Sequence, residues 1–405
     1  MKINDLALQR SKYKHLSDDE WRWFLQQVEG RERTADKLPL FASIEDWWYP
    51  VRLSCEQCSS ELTARYKASL CQRSGLSAER SVLCQSAGRS LLDLTGGYGV
   101  DTYFLSELFD HTDYVEQNAE LCRIATHNFA DKPIAIHNCT AEEFLTNHQS
   151  TNPSIHQYSL IFLDPARRDS HGGKVFRLED CTPNVVELLP TLLSHLSPDG
   201  HILLKLSPML DLTQAVKELS SIHCTSSLCP FSWDIHVVAV KNEVKEVLLC
   251  TKGQCAKYEG KITSIDLAEP EKAFTFTKEE ECGSSSLPLK GELEGAYLYE
   301  PNAAILKAGA YKLIAERFNL HKLDINTHLY VSGTLVENFP GRIFEAQLYK
   351  GGMEVGSQAN VLVRNYPLTA EQLKKKLRLK DGGSTYVIGC RVNSKPTIFI
   401  AKRVN

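Results

Sequence analysis

A chain of 405 residues, 42% apolar and 24% charged, is long enough for two or three domains with ordinary packed cores. No run approaches the ~18 apolar residues of a membrane-spanning helix, and the first residues hold no basic-then-apolar export signal. Thirteen cysteines, an odd number spread thinly, favour reduced thiols in a cytoplasmic protein over a disulfide framework.

Residues 1–85 read as a helical lobe. Ser17-Asp18-Asp19-Glu20 has the pattern of a capping box ahead of Trp21, Phe24 and Leu25. Ser54-Cys55-Glu56-Gln57 reads as a second box, opening a helix with Leu62, Tyr66 and Leu70 on one side. Trp47, Trp48 and Tyr49, followed by Pro50, form an aromatic link expected to pack this lobe onto the next domain. Cys55-x-x-Cys58 has no second pair of matching spacing, so no metal is expected.

Residues 86–252 alternate strand and helix, as a doubly wound sheet requires. The informative stretch is SLLDLTGGYGVD, Ser90 to Asp101. An apolar strand (Leu91, Leu92, Leu94) carries one carboxylate, Asp93. It breaks at Gly96, Gly97 and Gly99 and continues into a helix through Thr102, Phe104, Leu105 and Leu108. In open α/β sheets ligands bind at such a strand end, and glycine lets the backbone approach them. A dinucleotide fingerprint needs a third glycine where Thr102 stands, and Asp93 would repel a pyrophosphate.

Here the chain resembles the class I S-adenosylmethionine-dependent methyltransferases. Their first motif is an acidic residue followed by three alternating glycines, matched by Asp93, Thr95, Gly97 and Gly99 with threonine in the first glycine position. The resemblance implies that Thr95, Gly96, Gly97 and Gly99 cradle the methionine moiety, and that Asp93 and Asp101 recognise its amine end. The second strand, Tyr114-Val115-Glu116, ends in a carboxylate 23 residues beyond Asp93. Glu116, with Gln117 beside it, is placed to hold the ribose hydroxyls. A third strand, Ile134 to Ile136, precedes the turn holding Thr140 and Ala141, which in this family contacts the adenine.

The fourth strand, Leu160 to Leu163, ends in Asp164-Pro165-Ala166-Arg167-Arg168. Methyl transfer from a sulfonium needs little acid chemistry; it needs an acceptor held in line with its lone pair free. Asp164 can accept a hydrogen bond from an exocyclic amine while Pro165 fixes the turn. Methyltransferases of base amines resemble this with Asp/Asn-Pro-Pro and a stacking aromatic. Here Ala166 and Arg167 replace proline and aromatic, and Arg167 and Arg168 can stack on a base or grip a phosphate. Asp-Pro-Ala-Arg also occurs in enzymes that methylate a uridine ring carbon, but those need a cysteine after the fifth strand. That strand, His201 to Leu206, is followed by Ser207-Pro208-Met209. An amine or ring-nitrogen acceptor is therefore expected.

Thr182-Pro183 is read as a helix cap. His236–Val240 and Val244–Cys250 read as an antiparallel hairpin closing the sheet, a feature of the methyltransferase fold. Phe231 and Trp233 before it read as core residues. Residues 253 to about 290 look like an acidic, irregular linker. A strand at 296–302 then runs into one helix through Ala304, Leu306, Ala310 and Leu313, followed by strands at 328–331 and 344–348. This α+β unit, 253–350 with its linker, resembles the ferredoxin-like module of a bacterial methyltransferase family with a DPARR motif. Residues 351–405 resemble that family's THUMP-like end domain, whose name comes from RNA-modifying enzymes.

Arg364 to Asn405 carries ten bases against Glu371 and Asp381, a net +8 that leaves −12 for the rest. A basic end on an acidic body points to a polyanion partner, most simply RNA, with Lys374, Lys375, Lys376 and Arg378 as contacts. A solvated lysine-rich helix face is the plainer alternative. The expected fold is thus α/β: a Rossmann-like methyltransferase sheet with a closing hairpin, an N-terminal helical lobe and small α+β C-terminal modules. The expected function is S-adenosylmethionine-dependent methylation of a base nitrogen in RNA. An RNA-binding protein with a vestigial cofactor site, an NAD-dependent oxidoreductase, or a methyltransferase of a protein or small molecule are the rivals.

Overall fold

The computed structural model describes residues 6, 10–72, 89–147, 157–167, 177–220, 233–252, 260–285, 287–288, 296–351 and 355–404. The chain divides into two compact units, Met1–Trp233 with Leu248–Tyr258, and Asp234–Val247 with Glu259–Asn405. Among the described residues no helix is long and apolar enough to cross a membrane.

The first unit opens with helices α1 (Asp18–Thr34), α2 (Pro39–Ser43), α3 (Arg52–Gln57) and α4 (Glu61–Cys71). Ser17 and Glu20 form the expected capping box, satisfying donors at the start of α1. The second expected box is not one: Ser54 lies inside α3, and Ser60 caps α4 by accepting the Thr63 N–H at 3.2 Å. The backbone runs extended at Cys58 (ψ 162) and Ser60 (ψ 157), so α3 and α4 are separate. Consequently Leu62 faces solvent, and α4 buries Ala64, Tyr66 and Lys67. Trp47 and Tyr49 do pack as expected, in one core with Phe41, Tyr98, Phe104 and Phe129. Trp47 stacks on Phe41 at 4.1 Å and donates its indole N–H to the Tyr98 hydroxyl at 2.9 Å.

Strands β1 (Ser90–Asp93), β2 (His111–Val115), β3 (Ile134–His137) and β4 (Tyr158–Leu163) alternate with helices α5 (Val100–Ser106), α6 (Ala119–Asn128) and α7 (Ala141–Asn147). After β4 come a two-strand ribbon, β5 (Ala166–Arg167) against β6 (Cys181–Thr182), then α8 (Val185–Ser194), β7 (Leu196–Leu206) and α9 (Leu212–Ser220). The spatial order β7-β4-β1-β2-β3 is parallel throughout. From β1 the chain moves outward through β2 and β3, then returns to β4 on the other side of β1. The loops after β1 and β4 therefore part, and this switch point is where open α/β sheets open a crevice. Thr182-Pro183 does not cap α8: Asn184 does, its side chain accepting the Val186 N–H at 3.1 Å, and Thr182 belongs to β6.

Strands β8 (Trp233–Val240) and β9 (Glu243–Lys252) form the expected hairpin around Lys241 and Asn242, both left-handed at φ 51° and 62°. The Leu248–Lys252 end of β9 belongs to the first unit and follows β7 in the strand order. Phe231 lies outside the described residues.

In the second unit the stretch read as an irregular linker holds β10 (Lys261–Asp266), β11 (Phe274–Thr277) and the short helix α10 (Lys278–Gly283). The Glu281 carboxylate accepts the N–H groups of Tyr311 and Leu313, at 3.1 and 2.9 Å, so its acidity serves a helix start. Beyond it, β12 (Leu287–Pro288), β13 (Ala296–Pro301), β14 (His321–Asp324), β15 (Thr327–Ser332), β16 (Gly341–Leu348), β17 (Asn360–Arg364), β18 (Thr385–Val392) and β19 (Lys395–Arg403) make one sheet. Its order is β12-β14-β15-β13-β16-β19-β18-β17. The single helix expected after β13 is two, α11 (Ala303–Ala308) and α12 (Leu313–Arg317), because Gly309 turns left-handed at φ 84°. Helix α13 (Ala370–Leu377) carries the expected Thr369–Gln372 capping box.

Candidate active site

A cavity of about 390 Å³ opens in the first unit at the switch point. The glycine turn supplies Thr95 to Gly99, and the start of α5 supplies Asp101. Glu116 and Gln117 come from the end of β2, Thr140 from the turn after β3, Ala141 from the start of α7, Asp164 from the end of β4 and Ala166 from β5. The structure thus brings together nearly all the residues read as cofactor contacts, and beside them Asp164, the carboxylate read as facing the acceptor.

The turn is fixed by side chains from below and beside. Asp93 is 1% exposed and does not line the cavity. It lies beneath the turn, accepting the Thr95 N–H at 3.0 Å and the Thr102 hydroxyl at 2.6 Å. Its expected place at the amine end of the cofactor is therefore corrected: both its oxygens hold the loop. Burial raises the Asp93 carboxyl to about 7, against the lowering effect of the Thr102 and Thr95 hydrogen bonds. The folded chain then keeps a proton that the unfolded chain has lost, so this group's contribution to stability falls as pH rises from 3.8 to about 7. Asp93→Asn should gain on the wild type through that window, by up to about 1.4 kcal/mol per pH unit, and stop gaining above it. Urea unfolding of both proteins at pH 5, 6, 7 and 8 checks this; parallel curves would contradict it.

Gly97 and Gly99 are left-handed, at φ 57° and 81°. A Cβ on Gly97 would meet nothing nearer than 3.8 Å, so its backbone is open to the cavity. Gly96 is glycine for another reason: a Cβ there would lie 2.1 Å from the Tyr114 ring. That ring is buried, and its hydroxyl donates to the Gly97 carbonyl at 2.6 Å. Gly96→Ala is expected to cost roughly 1–3 kcal/mol by overpacking, read from denaturant unfolding; an unchanged midpoint would show that Tyr114 can yield.

Glu116 accepts the Gly97 N–H at 2.9 Å and the Asn118 N–H at 2.7 Å, so one carboxylate joins the first and second crossover turns. Thr140 caps α7, its hydroxyl accepting the Glu143 N–H at 3.1 Å, and Ala141 follows as the first helical residue. Asp101 is held by groups that sequence reasoning missed. Ser59 donates to its Oδ2 at 2.7 Å, and Lys67, fully buried, places Nζ 3.1 Å from Oδ1. Lys205, at the end of β7, lies 3.7 Å from Oδ2 and pairs with Asp164 Oδ2. Burial would raise Asp101, but Lys67, Lys205 and Ser59 outweigh it and hold the carboxyl below its ordinary value. The Asp164 N–H donates to Thr95 Oγ1 at 2.6 Å, tying the turn after β4 to the glycine turn.

Pro165 is buried and Ala166 exposed. Arg167 lies in β5 opposite Cys181, and Arg168 falls outside the described residues. Two cysteines, Cys58 and Cys139, do line the cavity. Burial raises both thiols, so neither is disposed to be a thiolate nucleophile. In the second unit, Lys374 is neutralised by Glu371 and Asp381, each at 2.7 Å, while Lys375, Lys376 and Arg378 are exposed.

The residues fit S-adenosylmethionine. Asp101 lines the cavity as a carboxylate held below its ordinary range, which suits an ammonium. The Gly97 backbone is open, and Glu116 at the end of β2 suits a diol. A parallel sheet with this strand order, a glycine turn at its switch point and carboxylates at the ends of β2 and β4 define a class I S-adenosylmethionine-dependent methyltransferase. A ferredoxin-like domain family matches residues 297–340 and a THUMP-domain-like family matches 344–403. The crystal structure of a candidate methyltransferase from Porphyromonas gingivalis W83 is similar over 96% of this chain and 92% of that one, with TM-score 0.78 and 30% identity. The chain belongs to that protein's family, the methyltransferases that carry a DPARR motif, a ferredoxin-like module and a THUMP-like end. An rRNA methylase from Streptococcus thermophilus matches over 41% of this chain and 88% of its own, at 12% identity and TM-score 0.30. The tRNA (m1A58) methyltransferase of Aquifex aeolicus matches over 49% and 71%, at 14% identity and TM-score 0.31. No curated protein matches.

Proposed function

We propose that the chain transfers the methyl group of S-adenosylmethionine to a base nitrogen, an exocyclic amine, of RNA in the cytoplasm. The observation that carries this reading is the Asp164 carboxylate in the wall of the same cavity as the glycine turn and Asp101. Bound there, the cofactor supplies an electrophilic methyl on a sulfonium. Asp101 holds its ammonium, the Gly97 backbone its methionine chain, Glu116 and Gln117 its ribose, and Thr140 and Ala141 flank its adenine. Asp164 accepts a hydrogen bond from the acceptor N–H and so turns the nitrogen lone pair toward the methyl. Transfer would leave the acceptor nitrogen with one proton too many, and that proton would be released to water. Arg167, Arg168 and the exposed Lys375, Lys376 and Arg378 supply contacts to base or phosphate. The thiols raised by burial agree with a nitrogen rather than a ring-carbon acceptor.

Radiolabelled methyl transfer into RNA from a strain lacking the protein, followed by nucleoside analysis, tests the reading. The expected result is one labelled nucleoside methylated on nitrogen. Label in protein or small molecules but not in RNA would overturn the substrate class.

A further inference from the structure

We infer that Lys205 is a positioning residue: it holds the Asp164 carboxylate at the acceptor end of the cavity and links it to Asp101 at the cofactor end. The inference rests on the methyl-transfer reading above. Lys205 stands at the end of β7 with its side chain 11% exposed, and its ammonium meets carboxylates from two other elements. Together with Lys67 this makes a row of alternating charge, Lys67–Asp101–Lys205–Asp164, along one wall. Lys67, Asp101 and Lys205 are largely buried, so their geometry is set by packing, whereas the Asp164 side chain is 39% exposed. A carboxylate that open would sample several rotamers unless something fixed it. Lys205 does so by holding Oδ2, while Thr95 Oγ1 takes the Asp164 backbone N–H and fixes the main chain that carries it. Oδ1 carries no hydrogen bond among the described residues, and Asp164 lines the cavity, so that oxygen is available to an acceptor N–H.

Lysine suits this post better than arginine. A single compact ammonium can reach carboxylates on two elements, while a planar guanidinium is built to grip one of them bidentately. Lys205 need not touch the acceptor or the cofactor; it acts through Asp164.

Four proteins test this: wild type, Lys205→Met, Asp164→Asn and the double variant, with Lys205→Arg as a fifth. Transfer to the RNA identified above is followed at saturating cofactor, S-adenosylhomocysteine affinity by calorimetry, and thermal midpoints by calorimetric scans. Lys205→Met is expected to lose about a hundredfold in kcat. Its KM for RNA and its S-adenosylhomocysteine affinity should stay within about threefold of wild type, and Lys205→Arg should recover part of the rate. The double variant should be no slower than Asp164→Asn, because the lysine's part in transfer runs through the Asp164 carboxylate, which Asp164→Asn has already removed. Wild-type turnover in Lys205→Met, losses that multiply in the double variant, or a loss of affinity as large as the loss of rate would each overturn the inference. A wild type that binds S-adenosylhomocysteine yet methylates no RNA overturns the RNA reading instead. The link between Lys205 and Asp164 is then read from the thermal midpoints, where additive effects overturn it and non-additive ones support it.

Discussion

Asp164→Ala is expected to lose methyl transfer, by about a hundredfold or more, while S-adenosylhomocysteine still binds within about threefold of the wild-type affinity. The split follows from geometry. The glycine turn, Glu116 and Asp101 are anchored by Asp93, Tyr114, Ser59 and Lys67, none of which depends on the Asp164 carboxylate. The Asp164 backbone N–H, which does tie to Thr95, survives the substitution. What disappears is the group proposed to orient the acceptor, so the effect is expected on kcat. Single-turnover transfer and calorimetry measure the two halves; undiminished turnover removes Asp164 from the mechanism.

Lys67→Met is expected to cost about 3–5 kcal/mol of folding free energy. Its ammonium is fully buried and its partner Asp101 nearly so, so deleting one charge leaves the other desolvated and short of a counter-ion. Exposed pairs such as Arg22–Asp19 have no such leverage, being worth about 0–1 kcal/mol. Replacing both members, Lys67→Met with Asp101→Asn, should recover much of the loss, because two neutral groups need no pairing. Urea unfolding of the two variants decides it: a loss in Lys67→Met no larger than that of an exposed pair would mean that Lys205 alone satisfies Asp101.

What could be read from the chain was local. Asp93-x-Thr95-x-Gly97-x-Gly99, the carboxylate ending β2 and Asp164-Pro165 each announce themselves within a dozen residues, and a parallel sheet brings strand ends together whatever fills the core. The Ser17 and Thr369 caps were legible for the same reason. Lys67, Ser59 and Lys205 were not. Each lies in a stretch whose pattern reads as ordinary helix or strand, and their meeting at Asp101 is a product of tertiary packing. Lys67 in particular looks like a solvent-facing helical residue until Leu62 is found exposed and α4 rotated. Asp93 was assigned to the right turn and the wrong side of it, since a motif gives proximity and not direction. Residues 253–290 concealed their strands because Phe274-Thr-Phe-Thr alternates over only four residues.

Glu300 bears on how the protein can be taken apart. Its carboxylate, 4% exposed, is gripped by Arg342 and by Arg364, and its strand β13 pairs along its length with β16. The ferredoxin-like match ends at 340 and the THUMP-like match begins at 344, so that border runs through a shared sheet and a shared ion triad. Cutting there would strip one piece of its neighbouring strand and strand two guanidinium groups or one acid in the other. The two named modules are, in folding terms, halves of a single body: neither is a portable part to be expressed or grafted alone.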